Sequence, residues 1–347
     1  MLEVRTLCDK WTGRTIKAIG RTGSDTGQHY FTANTWLSDS RRLVLSAHID
    51  ESRRCRYVLF DTDSGRSQSI VDDAGWGAGI VSSDDKLYYI DGRALRCVDL
   101  TTMSHSIVTL LEEGSEFHGP PSITNDGSTI GIYWSRGGEW VIGSVEVSTG
   151  AIRQAISPGF AKPYDVANHA MINPIYRNLL FYAHEGKTEH IPDRIWAVDS
   201  GTGEAKNLYR QKRLDDGTHV EYVGHEMWAY GGERLYFVKY DPSPLKPTGI
   251  YWVDKLGENS GFLNGDYLYW HAAASPDDRW VVADTHEQGS KIVLVDAENG
   301  TSRPLCEVRR WEEHPGHPHP AFSPDSRKVS FTFADEENRL WVGIVEI

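Results

Sequence analysis

AFSPDSRKVSFTF, Ala321 to Phe333, opens on a short apolar lead, turns through Ser-Pro-Asp-Ser, and then alternates apolar and polar side chains. Alternation with a period of two marks a strand with one buried face, and Pro-Asp-Ser is turn chemistry. The stretch therefore reads as a hairpin. The same phrase returns as WLSDSRRLVLSA from Trp36, IVSSDDKLYYI from Ile80 and SITNDGSTIGIYW from Ser122. It returns again as MINPIYRNLLFYA from Met171, MWAYGGERLYFVKY from Met227 and AASPDDRWVVADT from Ala273. Successive copies lie roughly 42 to 56 residues apart, a period proper to repeat architectures.

Most copies are followed by a second phrase, a short apolar strand ending in Asp and a Gly turn, as in RYVLFDTDSG, RIWAVDSGTG and KIVLVDAENG. Two hairpins per period make a four-stranded propeller blade, and seven periods make seven blades. The fold class is thus all-β, a seven-bladed β-propeller, with residues 1–347 as a single domain. A blade's apolar faces are covered only by its neighbours, so the ring has to close. The last blade stops at NRLWVGIVEI, a third strand with no fourth after it. KWTGRTIKAIG, near the N-terminus, has the Gly turn and alternation of an outermost strand. Residues Arg14 to Gly20 are expected to complete the last blade.

Composition narrows the function. The net charge is −13, a field that repels nucleic acid and anionic membranes. No apolar run approaches the length of a membrane span, and the first residues lack a signal-peptide pattern. A cytoplasmic protein, monomeric or homodimeric, is the expectation. Cys8, Cys55, Cys97 and Cys306 are far apart with no CxxC pair, so neither a thiolate metal site nor a disulfide scaffold is expected.

Histidines carry the chemical signal. His169, His225, His271, His317 and His319 all fall just before the turn of a blade phrase, on the strand that lines the channel. Equal offsets bring such side chains to one height around the axis. His317 and His319 lie two apart in HPHP, and i, i+2 residues of a strand share a face. His314 would swing in from the preceding loop. With His271, four imidazoles could meet one cation. An all-nitrogen set suits Mn, Fe, Ni, Cu or Zn and poorly fits Ca or Mg.

From NHAMINP through HEG, PDRIW, GHEMW and WHAAASPDD to HPHP, the sequence resembles the oligogalacturonate lyases, a family of seven-bladed propellers active in pectin breakdown. The resemblance is strong over about residues 168 to 334, where the motifs share order and spacing. It implies a manganese ion on His271, His317 and His319, with Zn, Fe or Ni as alternatives. The family's fourth ligand is a glutamine, and His314 stands in its place. The resemblance further implies His225 as catalytic base and Arg194 as catalytic arginine. His184, His169, His29, Tyr30 and Trp228 are the expected substrate-binding residues, and Trp270 and Tyr269 could also stack on sugar rings. One departure concerns charge. Where the family carries His-Arg-Asn before Tyr-Phe, this chain has Gly27, Gln28 and His29, without a cation.

The implied reaction is β-elimination on an acidic oligosaccharide. The C5 proton of a uronate is weakly acidic, so a cation and an arginine must neutralise the carboxylate while a neutral histidine removes the proton. The competing reading is a non-catalytic propeller that binds carbohydrate or protein, which leaves the histidine cluster unexplained. The propeller half of a serine peptidase is disfavoured, since no GxSxG motif is present.

Overall fold

Seven antiparallel sheets carry the chain in the computed structural model, which describes residues 2–287 and 289–347. Blade one comprises Asp25–Gly27, Arg42–Ile49, Arg54–Asp61 and Ser67–Gly75, and blades two to six follow with four strands each. Blade seven begins with Ala321–Phe322, Lys328–Ala334 and Leu340–Glu346. It is completed by Thr15–Gly20, which pairs antiparallel with Leu340–Glu346 in the register Lys17↔Ile344. The expected closure by an N-terminal strand therefore holds. A fifth strand, Glu3–Cys8, pairs outside it, and its exposed face gave no hint of this role. No helix among the described residues is long and apolar enough to cross a membrane.

The repeated turn phrase has one local cause. Ser82, Thr124, Ser275 and Ser323 each donate a hydroxyl hydrogen bond to the Asp two residues later, at 2.5 to 2.6 Å. Each hydroxyl also accepts the backbone N–H of the residue that enters the next strand. The turn is thereby closed at both ends by one side chain, an ST-turn arrangement that favours Ser or Thr here. In blade four Asn173 does the equivalent, its Oδ1 accepting from Ile175 and Tyr176.

Apolar side chains between neighbouring blades form the core. The cluster beside the closing strand joins Ile16 and Ala18 to Leu305 and Cys306 of blade six and to Phe331 and Val345 of blade seven. Ile19, on the other face of that strand, joins Val342 to Leu43, Leu45 and Phe60 of blade one.

Two inner strands depart from the sequence expectation. In blade one the inner strand stops at Gly27, and Trp36 only bridges to Leu43, so Trp36 does not begin a continuous strand. The intervening segment carries the buried Tyr30 and Phe31 to the foot of the histidine cluster. In blade seven regular pairing is confined to Ala321–Phe322, so HPHP is not itself a strand. Pro318 and Pro320 offer no N–H to a ladder, and His319 takes a left-handed φ of 48°.

Candidate active site and metal centre

Three inner strands bulge at matching places. Their registers shift between Asn168 and Met171, between Gly224 and Met227, and between Tyr269 and Ala272. Each bulge holds one of the predicted histidines, His169, His225 or His271. A bulge inserts an unpaired residue and re-aims its side chain. His169 and His225 are held at φ of 50° and 55°, a left-handed conformation uncommon outside glycine and concentrated at functional sites.

His271, His317 and His319 present one nitrogen each, all within 4.8 Å of one another, and all three residues are buried. The free nitrogens are set by what the other nitrogens do. His271 Nδ1 lies 2.9 Å from both oxygens of Asp284, and the backbone N–H of His271 donates to the same carboxylate at 2.7 Å. Nδ1 therefore carries the proton, and Nε2 is left buried without a partner. His317 donates Nε2–H to the Glu312 carbonyl at 2.8 Å, leaving Nδ1 unpartnered. His319 leaves Nε2 unpartnered. Its carbonyl accepts from the Gln28 amide, and its N–H donates to Asp284 at 3.3 Å.

Three buried acceptors aimed at one point are unfavourable unless a cation joins them. Burial, then the neighbouring imidazoles, holds His271 and His319 well below the ordinary histidine range, so both are neutral near pH 7. Burial pushes the Asp284 carboxyl up to about 7 against the pull of its N–H donors. A cation on the far side of His271 would draw it down again. This carboxylate–histidine pairing is the usual support of a metal ligand. The donor set fits a divalent transition metal ion.

The expected same-face geometry of His317 and His319 is corrected in mechanism. They converge through different ring nitrogens on an irregular backbone, not through strand alternation. His314 lies beside the cluster, its ring centroid 4.1 Å from that of His317 and its Nδ1 buried and unpartnered, but it is outside the three-nitrogen set. Burial lowers its pKa to about 3.

His225 packs against His271, with ring centroids 4.0 Å apart and planes tilted by 45°. Its Nδ1 lies 2.5 Å from the Trp270 carbonyl, which can only accept, so Nδ1 is the protonated nitrogen and Nε2 holds the lone pair. The Tyr240 hydroxyl is a further neighbour of Nδ1 at 3.0 Å. Burial, with His271 and Arg194 nearby, keeps the imidazole neutral well below its usual pKa.

Arg194 is buried between Glu226 and Glu185, with Nε 2.7 Å from Glu226 and Nη1 2.9 Å from Glu185. Burial opposes its charge, but Glu226 and Glu185 outweigh that and raise its pKa well above the usual value. Tyr30, His169, Arg194, His225, Tyr240, Arg53, Trp76 and His314 line one open cleft of about 530 Å³.

Three expected substrate contacts are not brought there. His29 is buried against Tyr57, away from the cleft, and both its nitrogens are unpartnered. His184 stacks on Phe160 at 3.7 Å and bonds the Tyr164 carbonyl. Trp228 faces a separate, more apolar cavity lined also by Ile80, Met171 and Phe322. Asp284, Glu185, Glu226, Tyr240 and Trp76 are site residues that the sequence reading did not single out. A carboxylate inside the otherwise apolar run WVVADT was the available sign for Asp284.

Fold and site define a seven-bladed propeller with a buried, metal-competent histidine centre beside a cleft. No protein-family model matches the chain. It is 23% identical to an oligogalacturonide lyase of Pectobacterium atrosepticum, over 95% of this chain and 93% of that protein. It is 22% identical to an oligogalacturonate lyase of Dickeya dadantii, over 88% and 86%. A solved oligogalacturonate lyase in complex with manganese superposes with a TM-score of 0.86 at 20% identity, covering 100% of this chain and 96% of that one. The oligogalacturonate lyase of Vibrio parahaemolyticus superposes with the same TM-score at 16% identity, covering 100% and 97%. The resemblance read from the motifs therefore extends along the whole chain, and the propeller fold with it.

Proposed function

We propose that the chain is a metal-dependent lyase that cleaves short, oligogalacturonate-like uronides by β-elimination. The observation that carries this reading is the meeting of three unpartnered, buried imidazole nitrogens with a fourth imidazole, His225, whose tautomer is set for a base. The names of the relatives point the same way.

His271, His317 and His319 would hold the ion, manganese in the first instance, and His314 beside them would be the further ligand in the place of the family's glutamine. When bound, such a cation would supply Lewis acidity that neutralises a uronate carboxylate and makes the C5 proton more acidic. His225 accepts that proton at Nε2 while Nδ1–H stays on the Trp270 carbonyl, which holds the ring in place. The electrons of the C5–H bond then form the C4=C5 double bond as the C4–O bond breaks, and the departing oxygen takes up a proton from water, giving a 4,5-unsaturated uronide. Arg194 contributes through Nη2, whose contact with Glu226 is long at 3.5 Å and leaves donor capacity toward the substrate. Tyr30 and His169 line the same cleft and bound the sugar.

Stripping the metal should abolish the ultraviolet absorbance gained when oligogalacturonates are cleaved, and adding back manganese should restore it. Metal-loaded protein that forms no unsaturated product on a panel of oligouronides would sink the reading.

A further inference from the structure

An acidic substrate needs cations, and the cleft holds few. Among the described residues, Arg53 and Arg194 are the basic side chains that line it. Arg194 already faces two carboxylates. Gln28, at the segment that lacks the family's cation, is committed to the carbonyls of His319 and Ser330. Arg53 has no ion pair or side-chain hydrogen bond among the described residues and is exposed at the rim.

Its backbone is nonetheless well held. Arg53 sits at φ 61° in the turn between Arg42–Ile49 and Arg54–Asp61, its N–H bonded to the Asp50 carbonyl at 2.9 Å. Its own carbonyl accepts the N–H of Trp76 at 2.8 Å, which ties the two residues together. Trp76 in turn lies 5.4 Å from the His314 ring and 6.0 Å from the His319 ring. The order along the cleft is therefore metal-ligating histidines, indole, guanidinium.

We infer that Trp76 and Arg53 form a subsite for the uronate unit next to the one held at the histidine centre, with the indole under the sugar ring and the guanidinium on its carboxylate. An aromatic face beside a planar bidentate donor is the chemistry that recognises an acidic sugar. The subsite rests on the lyase reading and deepens it: the unit next to the one that loses its C5 proton carries a free carboxylate in the preferred substrate.

The test compares wild type with R53N and R53K on di- and trigalacturonate and on their methyl esters. Asparagine tolerates the left-handed turn, so R53N removes the charge without forcing the backbone. R53N should raise KM for the free acids about tenfold, the usual scale for loss of one charge-assisted hydrogen bond, with kcat nearly unchanged. R53K should recover part of the loss, and KM for the esters should be the same in all three proteins. An unchanged KM for the free acids in R53N, or an equal rise on the esters, would overturn the subsite. If wild type yields no unsaturated product, the lyase reading falls, and calorimetric titration of digalacturonate into wild type and R53N still decides the Arg53 contact.

Discussion

Asp284 shows how much of the site rests on a side chain that touches no substrate. It receives three N–H groups, from the backbone and ring of His271 and from the backbone of His319. In D284N the amide NH₂ would face those donors, so the His271 tautomer and ring orientation lose their support. Metal affinity should fall about 10- to 100-fold, the range seen when such supports are removed. Competition against a chelator measures it. Metal-free D284N should still unfold in one cooperative transition while its chelator competition shifts. This distinguishes a positioning role from a folding defect.

At the scale of strands, the closing strand carries the clearest energetic prediction. Ile19 is fully buried between blades seven and one. I19A should destabilise the protein by about 2–5 kcal/mol, the range for removing a large aliphatic side chain from a packed core. The shift in denaturant midpoint would show it. A shift below 0.5 kcal/mol, a surface-like value, would mean that the seam is not packed as described.

The same scale shows what could be read in advance. Blade number and closure were legible because the Ser/Thr–Asp turn repeats in sequence and the inward alternation repeats with it. Histidines at equal offsets were legible for the same reason. The bulges were not, since an unpaired residue at His169 or His225 leaves no mark in an alternating pattern. Nor was the departure of residues 28–35 from the inner strand of blade one, which depends on what the channel accepts. His184 lies beside Glu185 on the strand Leu179–Glu185 and points the other way, while His29 belongs to the irregular segment after Gly27, whose course no alternating pattern records.

For the whole molecule, buried imidazoles set the response to acid. In the metal-free protein His225, His271 and His319 lie well below their ordinary pKa, His29 is lowered to about 4 and His314 to about 3, in each case chiefly by burial. The unfolded chain takes up protons on these groups near pH 6.5 and the folded chain does not. Stability is therefore retained above that value and lost as the pH falls from 6.5 toward 4. Asp284 acts with the opposite sign, because its raised pKa favours folding at low pH and weakens it as the pH rises toward 7. Five imidazoles outweigh one carboxyl. The melting temperature of metal-free protein should drop between pH 7 and pH 5; one that held or rose would contradict this balance.

The pairing of Lys17 with Ile344 also governs when the molecule can be finished. A chain emerging from the ribosome carries its first strands for the whole duration of synthesis before residues in the 340s exist to receive them. During that interval the apolar face that blade one turns toward blade seven has no neighbour, and Thr15–Gly20 presents an unpaired strand edge to other chains. This pairing joins residues far apart in sequence, and contacts of that kind form slowly. Premature association of unfinished chains is therefore the characteristic hazard of this ring, and the time spent waiting for its last strand sets how large that hazard is.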